Sequence, residues 1–234
     1  MTDRAGRTGV IVAARTDSSR LPGKALLPLA GLPSILFLLR RLQGMKHAAA
    51  VILATTDRAV DNRLADMVSM EGIPVFRGAC DDVAGRYVDA AAAFGFDRVV
   101  RVTGDCPLLD GATIDECLDR AGDLEDCDLA TTKGSYPVGI DCEIYTADRL
   151  AALHRQGRLS PEECEHVTLH FYRPGSFRIR QLQRPPEWIS PERALTLDTP
   201  ADYDALSRLI NRAGRPDTPV PDLLAILDAG GTTA

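Results

Sequence analysis

Through its first 130 residues this chain alternates short runs rich in β-branched and apolar residues with stretches of helical periodicity, a rhythm that leaves few folds open. Strand-length runs fall at 10–14, 51–55, 74–77, 98–103 and 128–131, with helical patterns between them at 34–42, 60–71, 82–94 and 113–121. Strands joined by helix-sized crossovers pair in parallel, and a parallel sheet needs helices on both faces to cover it. The expectation is an α/β, Rossmann-like three-layer domain with a mostly parallel sheet. Ser34 stands before an apolar run as a candidate N-cap, and Asp81 or Asp82 is placed to cap the helix over 82–94.

The rhythm breaks near Lys133. From there to Arg184 the chain is rich in Pro, Gly and charge, with short helical patterns at 147–154 and 161–171 and a strand-like run at 177–182. Residues 133–184 read as an inserted lid or contact subregion. The parallel sheet is expected to resume at 194–197, followed by a helix from Pro200 to about Arg212, an amphipathic stretch at 220–228 and a fraying end from Gly230. At 234 residues and 45% hydrophobic content, one domain with a small elaboration is expected.

The first strand runs directly into Arg15-Thr16-Asp17-Ser18-Ser19-Arg20-Leu21-Pro22-Gly23-Lys24. A loop at the carboxyl end of a buried strand is where open α/β sheets bind ligands. Its cations, hydroxyls and Pro-Gly turn suit a polyphosphate, since cations offset the charge while hydroxyl and backbone N–H groups donate to the oxygens. The plain alternative is a solvated charged surface. A P-loop is excluded, because Ser18 stands where it needs Gly and Ala25 where it needs Ser or Thr. The dinucleotide fingerprint is excluded as well, because no glycine lies between Gly9 and Gly23.

Two aspartates follow strand-like runs: Asp105 in Thr103-Gly104-Asp105-Cys106-Pro107, and Asp198 in Leu195-Thr196-Leu197-Asp198-Thr199-Pro200. Converging on a triphosphate, they would supply the one or two protein oxygens that Mg²⁺ takes, phosphate and water completing its shell. The structural alternatives are a turn organised by Asp105 and a helix start at Asp198. Thr199, Pro200 and Asp202 match a capping box with Pro at the first helical position, which leaves Asp198 free to point elsewhere.

A net charge of −6 and a pI near 5.3 argue against a nucleic-acid backbone as partner. Met1-Thr2-Asp3-Arg4 does not resemble a secretion signal, and the longest pure apolar run, 35–39, is too short to span a bilayer, so no membrane partner is expected. The six cysteines show no C-x-x-C or zinc spacing, which fits a reduced, cytoplasmic protein. Cys106 alone lies near the suspected site, and with no neighbouring His no nucleophilic role is expected of it.

The run A-A-R-T-D-S-S-R-L-P-G-K-A-L resembles the nucleotide loop of the cytidylyltransferases that make CMP-activated acidic sugars, most closely the spore-coat polysaccharide branch and more distantly the CMP-sialic acid and CMP-KDO synthetases. The likeness continues through residues 51–57, 72–87, 101–110, 165–168 and 195–203. It implies a nucleotide-diphospho-sugar transferase fold, attack on the α-phosphorus of CTP by a small acidic acceptor, loss of pyrophosphate, and a homodimer. Motif matching implies phosphate contacts from Arg15, Ser18, Arg20 and Lys24, and backbone nucleotide contacts from Ala13 and Ala14. It further implies metal ligation by Asp105 and Asp198, with Thr103 also among the nucleotide contacts. Asp82 and Arg86 are expected to enclose the base or ribose, or else to form a helix-surface i,i+4 pair. Two positions depart from the family: Ala13 stands where Gln is frequent, and Asp17 where Gly is. Asp17 therefore points outward or touches the metal.

The acceptor is expected toward 133–184, with Asp141 and His166 as candidate contacts; Glu165-His166 is otherwise a structural pair on a helix, or His166 part of a dimer interface. The aromatic and apolar residues of this stretch, Tyr136, Ile140, Tyr145, Phe171 and Tyr172, are expected to need cover from a second copy, with an internal lid as the competing arrangement. The competing functions are a transferase of the same fold using UTP or GTP, and a catalytically idle nucleotide-binding module.

Overall fold

The computed structural model describes residues 6–231 except 190 and 192. Its strands are β1 (Thr8–Ala13), β2 (Pro28–Leu29), β3 (Leu32–Pro33), β4 (Ala50–Thr56), β5 (Val75–Gly78), β6 (Arg98–Thr103), β7 (Leu129–Thr131), β8 (Glu143–Thr146) and β9 (Ile179–Gln181). The helices are α1 (Ser34–Arg41), α2 (Asn62–Met70), α3 (Val83–Phe94), α4 (Gly111–Ala121), α5 (Ala147–Arg155), α6 (Pro161–Glu165), α7 (Pro200–Ala213) and α8 (Val220–Gly231). Seven strands form one sheet in the order β5-β4-β1-β6-β8-β7-β9, and β2 and β3 form a separate hairpin. β1 lies between β4 and β6, parallel to both; β8 alone runs antiparallel to its neighbours β6 and β7. No helix among the described residues is long and apolar enough to cross a membrane.

The two-residue period of the strands divides the core into two layers. Val10, Val12, Val100 and Val102 point to one face, where they meet α1, α4, α7 and α8; Ile11 and Val99 point to the other, beneath α3 and α5. Gly9 leaves room for the Phe96 ring, whose Cδ2 would stand 2.1 Å from a Cβ there.

Residues 133–184 are woven into this sheet rather than set apart from it, because they contribute β8 and β9. Of the five side chains expected to need cover, Tyr136, Ile140, Tyr145 and Phe171 lie in the chain's own core, whereas Tyr172 is exposed, as are Val138, Leu169 and Ile179 of the same stretch. Tyr136 meets Trp188 edge-on at 5.3 Å, and Phe171 meets Phe177 at 5.2 Å. The four buried side chains need no cover from a second copy.

Four local expectations are corrected. Residues 194–197 form no strand; Leu195 donates its N–H to Val138 and Leu197 to Asp105, so the segment bridges two loops instead of joining the sheet. Ser34 is the first residue of α1, with Pro33 at the N-cap, and its hydroxyl donates to the Lys24 carbonyl at 2.7 Å. The helix expected over 161–171 stops at Glu165, because Val167 takes a left-handed φ of 48°, and a 3-10 turn follows at Leu169–Tyr172. The expected fraying from Gly230 gives way to a helix that runs to Gly231; residues 232–234 lie outside the described residues.

The short α6 is held by Glu163. Its carboxylate closes a capping box with Ser160 and takes the Arg173 guanidinium at 2.6 Å and His170 Nδ1 at 3.0 Å. Burial alone would raise the Glu163 pKa, but the donors from Ser160, His170 and Arg173 push it down to about 2. A depressed carboxylate pKa adds stability above its unfolded value, and that stability is lost as pH falls toward the folded one. Urea titrations should therefore show a loss between pH 4.5 and about 2 that Glu163→Gln reduces; parallel acid limbs in the two proteins would contradict this role.

Candidate active site

Two strand ends meet where the cationic loop leaves the sheet. Gly104 donates its N–H to the Ala13 carbonyl at 2.8 Å, and a Cβ on Gly104 would lie 2.7 Å from that of Ala14. Only glycine allows this approach, and it sets the next residue, Asp105, beside the loop. The loop closes on itself through Gly23 N–H to the Thr16 carbonyl at 2.8 Å. Gly23, with φ 73°, turns the chain into a 3-10 turn, Lys24–Leu26. The Pro-Gly pair thus aims Lys24 back over the sheet edge.

Lys24 Nζ stands 3.1 Å from Asp105 Oδ2 and 2.8 Å from Asp198 Oδ1, and Arg20 Nη2 stands 2.9 Å from the same Asp198 oxygen. Burial alone would raise the Asp105 pKa, but the Lys24 charge together with hydrogen bonds from Thr103 and Lys24 holds the carboxyl below the usual range. Asp198 reaches this position because Leu197 donates to the Asp105 carbonyl at 2.8 Å and because the capping box behind it forms as read: Thr199 accepts from Asp202 N–H, and the Asp202 carboxylate accepts from Thr199. Residues 93 positions apart along the chain become one charged cluster.

That cluster borders a cavity of about 350 Å³. Ala13, Ala14, Arg15, Ser18, Arg20 and Lys24 line it from β1 and its loop; Thr103 and Asp105 line it from β6, Arg86 from α3, and His166 and Asp198 from the remaining segments. His166 stands at the C-cap of α6 rather than within a helix. Among the described residues no cluster of three or more His, Cys, Asp or Glu is arranged to hold a metal. Asp105 and Asp198 each turn one carboxylate oxygen to Lys24 Nζ, and they are the residues here that could lend oxygens to an ion taking most of its ligands from phosphate and water.

Two expected residues stand outside the cavity lining. Asp82, not Asp81, caps α3 by accepting from Gly85 N–H, and its second oxygen lies 2.6 Å from His154 Nε2. Asp141 accepts from Gly139 N–H at 2.8 Å, and burial raises its pKa. Arg86 lines the cavity but donates to the carbonyls of Ala79 and Cys80, so the expected i,i+4 alternative does not form. Asp17 touches arginines, 2.7 Å to Arg58 and 3.5 Å to Arg15, and the Arg58 hydrogen bond holds its pKa down. Cys106 is buried, and burial pushes its thiol pKa well up, so the thiolate a nucleophile needs is disfavoured.

Sequence reasoning missed Arg101 and Tyr87, which also line the cavity, as does Glu165, weighed there only in its pair with His166. Arg101 rises from β6 and meets Glu143 of β8 at 2.8 Å. Glu143, only 1% exposed, also takes Lys133 Nζ at 2.9 Å and the hydroxyls of Thr168 and Tyr172 at 2.7 and 2.8 Å. A charge within the apolar run Val99-Val100-Arg101-Val102 was the available signal, since a buried cation requires a partner.

A mostly parallel sheet with a cationic loop and paired carboxylates over its carboxyl edge defines the class: an α/β nucleotidyltransferase. The cytidylyltransferase family profile matches residues 9–213. The spore coat polysaccharide biosynthesis protein SpsF of Bacillus subtilis (strain 168) is 31% identical over 228 residues, covering 93% of this chain and 92% of the relative. The solved structure of a cytidylyltransferase from Leptospira borgpetersenii serovar Hardjo-bovis superposes with a TM-score of 0.89 at 29% identity, over 97% of this chain and 96% of that one. A CMP:2-keto-3-deoxy-manno-octonic acid synthetase complexed with CTP shares the fold, with a TM-score of 0.69 at 20% identity over 88% and 99% of the two chains. This chain belongs to the cytidylyltransferase family.

Proposed function

We propose that this protein transfers CMP from CTP to a small acidic sugar or similar acceptor and releases pyrophosphate. The observation that carries the reading is the placement of Lys24 between Asp105 and Asp198 at the mouth of the cationic loop. An acceptor hydroxyl oxygen bonds to the α-phosphorus and gives up its proton to water as the bond from that phosphorus to the bridging oxygen breaks, and the leaving pyrophosphate takes the electron pair. Such a transfer needs charge neutralisation and in-line placement more than covalent help. Arg15, Arg20 and Lys24 supply the cations, Ser18 a hydroxyl donor, and the ends of β1 and β6 a rigid floor. Asp105 and Asp198 would hold Mg²⁺, which when bound polarises phosphate oxygens. Arg86 and Tyr87 wall the cavity from α3, and Glu165 and His166 wall it from the end of α6, the side to which this reading assigns the acceptor.

All six cysteines stand as free thiols, which fits cytoplasmic residence. The pairing of two copies implied by the resemblance belongs to the same reading; a solution mass of 25.3 kDa would remove it.

The test is pyrophosphate release with each of the four NTPs against a panel of ulosonates, nonulosonates and sugar phosphates. CTP with Mg²⁺ is expected to support turnover and to raise the melting temperature most, since a ligand bound only by the native state stabilises it. Asp105→Asn and Asp198→Asn are expected to fold and to lose turnover. Equal thermal shifts from all four NTPs would overturn the nucleotide assignment. Wild-type rates in either variant at limiting Mg²⁺ would overturn the metal assignment.

A further inference from the structure

The loop over 15–24 is fastened not only to the strand it leaves but also to the segment that follows β4. Asp61 ends a 3-10 turn, Ala59–Asp61, is fully buried, and does not line the cavity. Its Oδ1 accepts the Thr16 N–H at 2.8 Å and the Thr16 hydroxyl at 2.7 Å; its Oδ2 accepts the Thr56 hydroxyl and, at 3.4 Å, Arg58 Nη2. Arg58 Nη1 reaches Asp17 Oδ2 at 2.7 Å, and Asp17 Oδ1 lies 3.5 Å from Arg15 Nε. Thr16 is also the residue whose carbonyl closes the loop by accepting from Gly23.

We propose that Asp61, with Arg58 and Asp17, is a positioning latch that fixes the nucleotide loop before a triphosphate arrives. The latch rests on the nucleotide reading of the cavity. Two donors from one residue, Thr16, converge on one carboxylate oxygen, so the backbone there is held in a single conformation. The Asp17 arm holds one edge of the Arg15 guanidinium, leaving its Nη1 and Nη2 to face Cys80 and Glu165 across the cavity wall. Burial alone would raise the Asp61 pKa, but the Thr56 and Thr16 donors and the Arg58 charge keep it below the usual range, which suits a permanently charged anchor. None of these three residues takes part in the transfer. Their effect is to order the loop in the free protein, so that binding does not have to supply the lost conformational entropy.

Asp61→Ala is expected to weaken CTP binding in Mg²⁺ by about tenfold or more in calorimetry and to raise KM for CTP while kcat changes less, since ordering is charged to the binding step. Amides over 16–23 should exchange hydrogen faster. Asp61→Asn, which keeps an acceptor for Thr16 but loses the charge that faces Arg58, should restore part of the affinity, and Asp66→Asn on the exposed face of α2 should change nothing. Should Asp61→Ala fail to fold, Arg58→Met decides, because that side chain is 35% exposed and its loss opens no core. Wild-type affinity together with unchanged exchange over 16–23 would overturn the latch. A wild-type protein that binds no CTP, while Asp61→Ala still loosens the loop, would remove the nucleotide reading and leave the latch standing.

Discussion

Replacing Lys24 by Met is expected to lower kcat/KM by about three orders of magnitude, in line with the loss of a preorganised group at a site of developing charge. Lys24 is 16% exposed and bridges two carboxylates, so the substitution removes the cation shared by Asp105 and Asp198. Arg20 would remain, but it contacts only Asp198. The same ammonium is placed to meet a phosphate, so the loss is expected in kcat as well as in KM, the mark of an interaction stronger in the transition state. Lys46→Met is the control. Lys46 is exposed, and its contact to Asp115 is made by the backbone N–H, which the substitution keeps. Comparable steady-state kinetics for the two variants would reduce the loop to a solvated surface.

The second large effect concerns stability. Glu143 balances Arg101 and Lys133 and accepts two hydroxyls in a site that is almost closed to solvent. Burial alone would raise its pKa; the Arg101 and Lys133 charges hold it down. Glu143→Ala leaves the Arg101 guanidinium buried without its counter-charge, a change that typically costs about 3–5 kcal/mol. In a chain of this size the melting temperature should fall by on the order of 10 °C. Because the same residue steadies a cavity-lining arginine, activity measured well below the new melting temperature should fall too. A melting temperature within about 2 °C of wild type would show that the network is not a structural keystone.

The parts of this fold that are legible in the sequence are the local ones. The parallel strands β1, β4, β5 and β6 announce themselves by short β-branched runs, and Thr199-Pro200-Ala201-Asp202 specifies its helix start within four residues. The loop over 15–24, with Asp105 and Asp198, was readable because each sits just after an apolar run, and the structure draws the three together. What was hidden depends on distant partners. β8 is four residues long, begins with a glutamate and passes straight into α5, so neither period nor length marks it. Glu143 makes sense only beside Arg101, 42 positions away. Asp82 and Asp141 look like site residues in a motif, yet each is occupied by a backbone N–H within three positions of itself, a bond that sequence position alone does not reveal.

The two carboxylates that share Lys24 have unlike mountings. Asp105 follows a strand paired along its whole length with β1 and over its first four residues with β8, whereas Asp198 follows a segment with no strand, hung by single backbone bonds on Val138 and on Asp105 itself. One arm is built into the frame and the other is suspended from a loop. For a designer this separates two adjustments that are usually entangled. Lengthening or re-shaping the turn that carries Val138 would reset the gap between the carboxylates while leaving every rung of the sheet where it is. Gly139, whose Cβ would strike the Leu195 backbone at 2.5 Å, is the screw by which that gap would first be turned.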